Sequence, residues 1–368
     1  MKKMKCPACG GDTKRNGRTS SGRTRWRCKA CGASTTQSYD TTPQDLSLFL
    51  DWLLGKRSQS EMGMPARTFR ARTSRFWSIW PVLPVCDEIH HVVYADGIWL
   101  GRSAVLLIAR TDDHVIGCHL ARSENSLDWG FLMRRIAPPD VLVCDGMGGI
   151  EKARRAWWPD TRVQRCVFHA FCQVKRCTTS RPKLQAGAEL YGIARDLLAV
   201  SEANGAAEWL ASFSSWCARW ERFLGERTIV DGRPQYKHER LRKARRGLER
   251  LCRAGTLFTF LDEGLAAGGA ISPTSNAIES GNARIREVLR SHRGLALDRR
   301  VKAGFWWCYM HSEAPLPPRR MLEELPTDEQ IMEWRRLAAS PAGESARWGA
   351  AVLWPEFHMC GSKGTGWF

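Results

Sequence analysis

The chain has 368 residues, enough for two or three domains with a sizeable core, which excludes the tiny disulfide-stapled scaffolds. Lys and Arg number 56 against 38 Asp and Glu, and the formal charge of +18 points to a polyanionic partner, nucleic acid ahead of acidic lipid. Hydrophobic residues make up 43%, a globular proportion, and the apolar runs fall far short of the roughly 18 residues a membrane span needs, so a membrane partner is not expected.

The N-terminus, Met1-Lys-Lys-Met-Lys-Cys6, lacks the apolar stretch of a secretory signal, and a cytoplasmic protein is the expectation. In a reducing compartment the 14 cysteines should be metal ligands or buried thiols, not disulfides. Cys6-Pro-Ala-Cys9 and Cys28-Lys-Ala-Cys31 are two Cys-x-x-Cys pairs, each followed by a glycine that lets the knuckle close. Four thiolates so spaced close tetrahedrally on one structural Zn²⁺, and a zinc ribbon is expected over residues 1–40. Between the pairs, Arg23, Arg25 and Arg27 flank Trp26 in a basic hairpin suited to phosphate contact and stacking; a solvated basic face has the same composition.

After Pro43, apolar residues at 46, 49, 50, 53 and 54 recur at helical spacing up to Gly55. Ser58-Gln-Ser-Glu61 has the form of a capping box, and a basic helical segment over 67–80 carries Arg67, Arg70, Arg72 and Arg75. Helix, short helix and basic helix in that order predict a helix-turn-helix over 41–85, a pattern that plain helical bundles share.

From residue 89 the texture becomes β-rich. Runs at 89–95, 103–109 and 115–120, separated by glycine and Asp-Asp turns, predict three successive antiparallel strands. A helix over 127–136, the buried apolar strand Val141-Leu-Val-Cys144, a helix over 150–157 and a strand over 163–168 follow. That order, β-β-β-α-β-α-β, is the order of a ribonuclease H-like α/β core. Asp96 and Asp145 stand at the ends of the first and fourth runs, each followed by glycine. Taken singly, either Asp-Gly is a turn. Taken together, they predict a paired-carboxylate site for two hard cations, Mg²⁺ or Mn²⁺, of the kind phosphoryl transfer uses. A third acid, Glu279, lies on a predicted helix together with Asn282 and Arg286. It serves either that site or a local capping box with Asn276.

Tyr94-Ala-Asp96-Gly, Val143-Cys-Asp145-Gly, Gln164-Arg-Cys166-Val-Phe-His169 and Thr274-Ser-Asn276-Ala-Ile-Glu279-Ser-Gly-Asn282 together resemble the Mutator-like superfamily of transposases, in its bacterial insertion-sequence branch. The resemblance spans roughly residues 89–310, and the ribbon and helix-turn-helix are similar to the N-terminal region of one bacterial subgroup. It implies a DDE triad of Asp96, Asp145 and Glu279 on a ribonuclease H-like fold, with an all-helical insertion before the last acid. It also implies Mg²⁺-dependent cutting and joining of double-stranded DNA, at terminal inverted repeats and at target, in a nucleoid-associated protein that works as a homodimer. The family's Cys-x-x-His motif matches Cys166 and His169, near the metal pocket, in a structural or substrate-positioning role.

The implied organisation is a core over 86–180 and 273–312, with the insertion over 181–272. Inside the insertion a stripe of Ala206, Trp209, Leu210, Phe213, Trp216, Cys217, Trp220 and Phe223 predicts a core helix. The basic run 237–253, with Arg242, Arg245 and Arg246, and a second basic segment with Arg286 and Arg290 are expected to face DNA. Residues 313–368 hold eight acids against six bases and are expected to form a small helical appendage, not a DNA-binding arm. The competing readings are a catalytically inactive DNA-binding regulator derived from a transposase and a structure-selective nuclease.

Overall fold

A computed structural model describes residues 4–36 and 40–338. Residues 4–36 form a three-stranded antiparallel sheet of β1 (Thr13–Arg18), β2 (Thr24–Cys28) and β3 (Ser34–Thr36), with the four cysteines at one end. Helices α1 (Thr42–Leu54) and α2 (Ala66–Thr73) follow, with a single 3₁₀ turn at Gln59–Glu61 between them. The second basic segment ends as an α-helix at Thr73 and continues as a 3₁₀ turn, Ser74–Ser78.

The body is a five-stranded mixed sheet of β4 (Val92–Trp99), β5 (Val105–Arg110), β6 (Val115–Ala121), β7 (Val141–Cys144) and β8 (Arg162–Arg165), in the order β6-β5-β4-β7-β8. The first three strands pair antiparallel, as their short turns require. The last two pair parallel to β4, and each is reached through a crossover helix, α3 (Ser126–Met133) or α4 (Gly148–Trp157). β7 is continuously apolar and buried because helices cover both faces, whereas β8, Arg-Val-Gln-Arg at the sheet edge, is not. On one face Ala95, Leu107 and Leu142 pack against Trp129 and Ile150 of α3 and α4. On the other, Tyr94, Leu106 and Val143 pack against Phe49 of α1 and against helices further along the chain.

The segment expected to be all-helical is not. Helices α5 (Val167–Thr178), α6 (Gln185–Asp196), α7 (Ala203–Arg219) and α8 (Glu221–Leu224) are followed by an exposed antiparallel hairpin, β9 (Arg227–Val230) and β10 (Arg233–Tyr236). Asp231 and Gly232, both at positive φ, make its two-residue turn. Helix α9 (Glu239–Arg253) and the short α10 (Glu263–Ala266) complete the segment. Its core is separate from the sheet's and joins Phe171, Leu190, Trp209, Phe213, Trp216 and Leu248, so α5 belongs to it. Of the predicted stripe, Ala206, Trp209, Phe213 and Trp216 are buried, whereas Leu210 is exposed and α7 ends before Trp220.

The chain leaves β8 and re-enters the sheet layer at the same point. Gln164, fully buried, donates to the Leu257 carbonyl at 3.0 Å and accepts from the Phe260 N–H at 3.0 Å. Helices α11 (Asn276–Ser291) and α12 (Leu297–Met310) then cover the sheet, and α13 (Pro318–Glu324) and α14 (Asp328–Ala338) close over α1 and the edge. The expected C-terminal helical appendage is helical to residue 338, and the rest of it, 339–368, lies outside the described residues. No helix among the described residues is long and apolar enough to cross a membrane.

Candidate functional site

The parallel pairing of β4 and β7 matches Val92 with Val141 and Ala95 with Cys144, a constant offset that makes Asp96 and Asp145 the next pair in register. The interval of 49 residues between the two acids is therefore the register itself. Asp96 is not at a strand end, as its Asp-Gly pattern suggests; β4 runs on to Trp99, and Asp96 pairs with Ile108 of β5 inside the ladder. Asp145 does follow the last residue of its strand, and its Oδ1 accepts the Met147 N–H at 3.0 Å.

Side chains alternate along β4, so Asp96 projects with Tyr94 and Ile98 toward the face covered by α11. There the Asn282 amide donates to Asp96 Oδ2 at 2.7 Å. Glu279 lies three residues earlier on the same helix, and its carboxylate meets His169 Nε2 at 3.5 Å. Ser275 occupies the N-cap without a side-chain cap, so Glu279 takes no part in the local capping box that its spacing allows. Burial first, then the charges of Glu279, Asp145 and Glu124, push the Asp96 carboxyl up to about 7. Glu279, Asp145 and Glu124 thus all act on the charge of Asp96, although among the described residues only the four N-terminal cysteines bring ligating atoms within 4.8 Å of one another.

Cys166 and His169 open α5 directly after β8. The Cys166 thiol is buried and accepts the Ser275 N–H at 3.3 Å, which fastens α5 to the start of α11. His169 reaches Ser275 Oγ through Nδ1 at 3.5 Å and Glu279 through Nε2. Burial raises the thiol's pKa, but hydrogen bonds from His169 and Ser275 outweigh it and bring Cys166 down to about 7. The hydrogen bond with Cys166 holds the imidazole's pKa above its ordinary value. The motif is a thiol and imidazole locked together with the imidazole turned to Glu279.

Arg165, the last residue of β8, is buried, with Nη1 3.9 Å from Asp145 Oδ1. Its Nε and Nη1 have no hydrogen-bond partner. Burial lowers its pKa, Asp145 opposes that, and the charge of Arg250 on α9 adds to the lowering. Other basic residues divide into committed and open ones. Arg72 Nε donates to the buried Asp45 at 2.8 Å, and Arg75 joins the same carboxylate at 3.1 Å. Arg242 donates to the Leu224 carbonyl and lies over Tyr236; Arg245 pairs with Glu249 and Glu221, and Arg246 with Glu239. Arg23, Arg25, Arg27, Arg67, Arg70, Arg286 and Arg290 are exposed.

At the N-terminus, Cys6, Cys9, Cys28 and Cys31 bring their sulfurs within 4.8 Å of one another. Pairs stand at 3.4, 3.5 and 3.7 Å, and four sulfurs bound tetrahedrally at about 2.3 Å lie about 3.8 Å apart. The donor set therefore fits zinc. Gly10 and Gly32 take positive φ as the knuckles require. The Cys31 and Ala30 N–H groups point at Cys28 Sγ and help bring that thiol down to about 6, toward the ligating thiolate.

Sequence reasoning passes over two side chains at the carboxylate cluster. Arg165 sits inside a quoted motif but has no periodic or spacing signal of its own. Glu124 stands alone in the loop after β6, and only the fold brings it to Asp96 and Asp145.

The fold and site define an α/β protein with two aspartates in register on adjacent strands, a four-cysteine knuckle pair and a strongly basic composition. Its relatives are of one kind. A probable transposase for an insertion sequence element of Corynebacterium diphtheriae is 26% identical over 164 residues, 38% of this chain and 48% of that protein. A transposase for an insertion sequence element of Burkholderia multivorans is 29% identical over 166 residues, 41% of each chain. The matched stretch spans less than half the length of either curated relative. No protein-family model matches the chain.

Proposed function

We propose that the protein is a DNA transposase of the Mutator-like superfamily, in its insertion-sequence branch, with a ribonuclease H-like core and Asp96, Asp145 and Glu279 as its DDE triad. The observation that carries this reading is the hydrogen bond from Asn282 of α11 to Asp96, which ties the helix bearing Glu279 to two aspartates already adjacent in register. The strand order β6-β5-β4-β7-β8, with the antiparallel trio first, supports the core assignment. The relatives' names support the activity.

Oxygen-only donors, mutually repelling carboxylates and an Asp96 held near neutrality suit a hard divalent cation. Asp96, Asp145 and Glu279 would hold two Mg²⁺ or Mn²⁺, which when bound supply charge stabilisation at a scissile phosphate and an ionised nucleophile. The chain's own residues do the rest. Asn282 orients Asp96, His169 orients Glu279, and the buried guanidinium of Arg165 sets a positive charge beside Asp145. The zinc ribbon (1–40) and helix-turn-helix (41–85) hold terminal inverted repeats, through Arg23, Arg25, Arg27, Arg67 and Arg70. Residues 86–180 and 273–312 would carry the catalytic core, 181–272 the insertion, whose packing takes in α5, and 313–368 the appendage. Two ends are joined by a homodimer.

The test is to incubate zinc-loaded protein and Mg²⁺ with labelled DNA carrying the element's ends, comparing wild type with Asp145→Asn. Joined products lost in the variant are expected. Cut but unjoined ends would make the protein a structure-selective nuclease, and binding without metal-dependent cleavage would make it a regulator.

A further inference from the structure

We propose that Glu124 is a fourth carboxylate of the divalent-cation site, held in place by Trp99; this rests on the reading of Asp96 and Asp145 as cation ligands. Glu124 approaches β4 next to Asp96 from the side opposite Glu279. Asp96 points to the face covered by α11, whereas Gly97, one residue on, faces the side of α3 and α4. The Glu124 carboxylate lies against Gly97 so closely that a Cβ there would stand 2.8 Å from its Cδ and 3.0 and 3.1 Å from its oxygens. Its backbone is equally confined, because a Cβ on Gly149 would collide with the Glu124 carbonyl oxygen. Glycine at both positions is what allows this side chain to lie across the strand beside Asp96.

The indole N–H of Trp99 donates to Glu124 Oε1 at 3.0 Å, which fixes one oxygen and leaves the other available. The charges agree with the geometry. Glu124 is one of the carboxylates that raise the pKa of Asp96, and burial followed by the charge of Asp145 raises its own. A separate observation points to a missing ligand. Asn282, 1% exposed, gives its amide N–H to Asp96 while its Oδ1 is buried with no donor. A buried amide oxygen beside a carboxylate calls for an electropositive group, which a cation or its bound water supplies.

The test measures Mn²⁺ binding to zinc-loaded, full-length protein by calorimetry, for wild type, Glu124→Gln and Asp145→Asn. Glutamine keeps an oxygen for Trp99 Nε1 and removes the charge, so loss of binding reports the carboxylate and not the tether. We expect Mn²⁺ affinity to fall tenfold or more in Glu124→Gln at a cation-free thermal midpoint no lower than wild type. In a second measurement that needs no variant, Fe²⁺ with peroxide and ascorbate, bound in place of Mn²⁺, should cut the wild-type backbone near 124 as well as near 96, 145 and 279. Wild-type affinity in Glu124→Gln with loss in Asp145→Asn, or no cut near 124, overturns the proposal and leaves the triad standing. Unchanged affinity in both variants overturns the triad as the cation site, and the proposal with it.

Discussion

Asp96→Asn should make the protein more stable at alkaline pH when no cation other than zinc is present. In the folded chain this carboxyl is pushed from an ordinary 3.8 up to about 7, by burial and then by neighbouring carboxylates. Each tenfold change in proton affinity is worth about 1.4 kcal/mol, so the penalty for ionising it in place is at most roughly 4 kcal/mol. Below about pH 4 the group is protonated in both folded and unfolded chains and contributes nothing. Between pH 4 and 7 the unfolded chain has released a proton that the folded chain keeps, so folding stability falls as pH rises and levels off above 7. Asparagine removes the charge and still offers an oxygen to the Asn282 amide. Thermal melts of the two proteins should therefore superimpose at pH 4 and separate by several degrees at pH 8, with the variant higher. Adding Mn²⁺ at pH 8 should raise the wild type and leave Asp96→Asn where it was. A variant melting at or below wild type at pH 8, or a gap that is the same at both pH values, would refute the electrostatic account of the cluster.

Removing zinc with a thiol-competent chelator, or making Cys28→Ser, should abolish one equivalent of bound zinc, measured by atomic absorption, and collapse the dispersed amide signals of residues 4–36. Arg70→Ala and Arg72→Ala should separate cleanly: the exposed Arg70 should lower the salt slope of DNA binding by about one without moving the thermal midpoint. Arg72, bonded to the buried Asp45, should cost about 2 kcal/mol, seen in the melt. Trp216→Ala removes a 2% exposed indole that stacks on Phe213 and donates to the Ala186 carbonyl at 3.0 Å. It should cost about 3–5 kcal/mol and expose the helical segment to limited proteolysis before the sheet.

The sheet is legible because its strands are short, β-branched and punctuated by turn residues, and Val141–Cys144 is found at its predicted bounds. The knuckle cysteines are legible because the spacing is the chemistry. Asp96 reads as a strand end only because Asp-Gly is a favoured turn dipeptide, and the ladder to β5 overrides that local preference. The hairpin at 227–236 has the same Asp-Gly signal, in a stretch whose surrounding helical periodicity masks it. Partners far apart in sequence are out of reach of any local pattern. Asp45 claims Arg72 and Arg75, 27 and 30 residues away, and so removes two arginines from a row that otherwise reads as open to solvent. Glu124 is invisible for the same reason: its meaning comes from β4 and β7 folding around it.

The buried glutamine of β8 grips both the outgoing and the returning chain, across a separation of 93 residues. Most of what lies between those two points hangs from this neck around a core of its own, while α5 stays tied to α11 through Cys166 and His169. Such a joint works like a socket: the module plugged into it can be enlarged, trimmed or exchanged over generations while the aspartates on the sheet and the glutamate beyond the neck keep their spacing. Selection can thereby reshape what grips the polymer without retuning what acts on it.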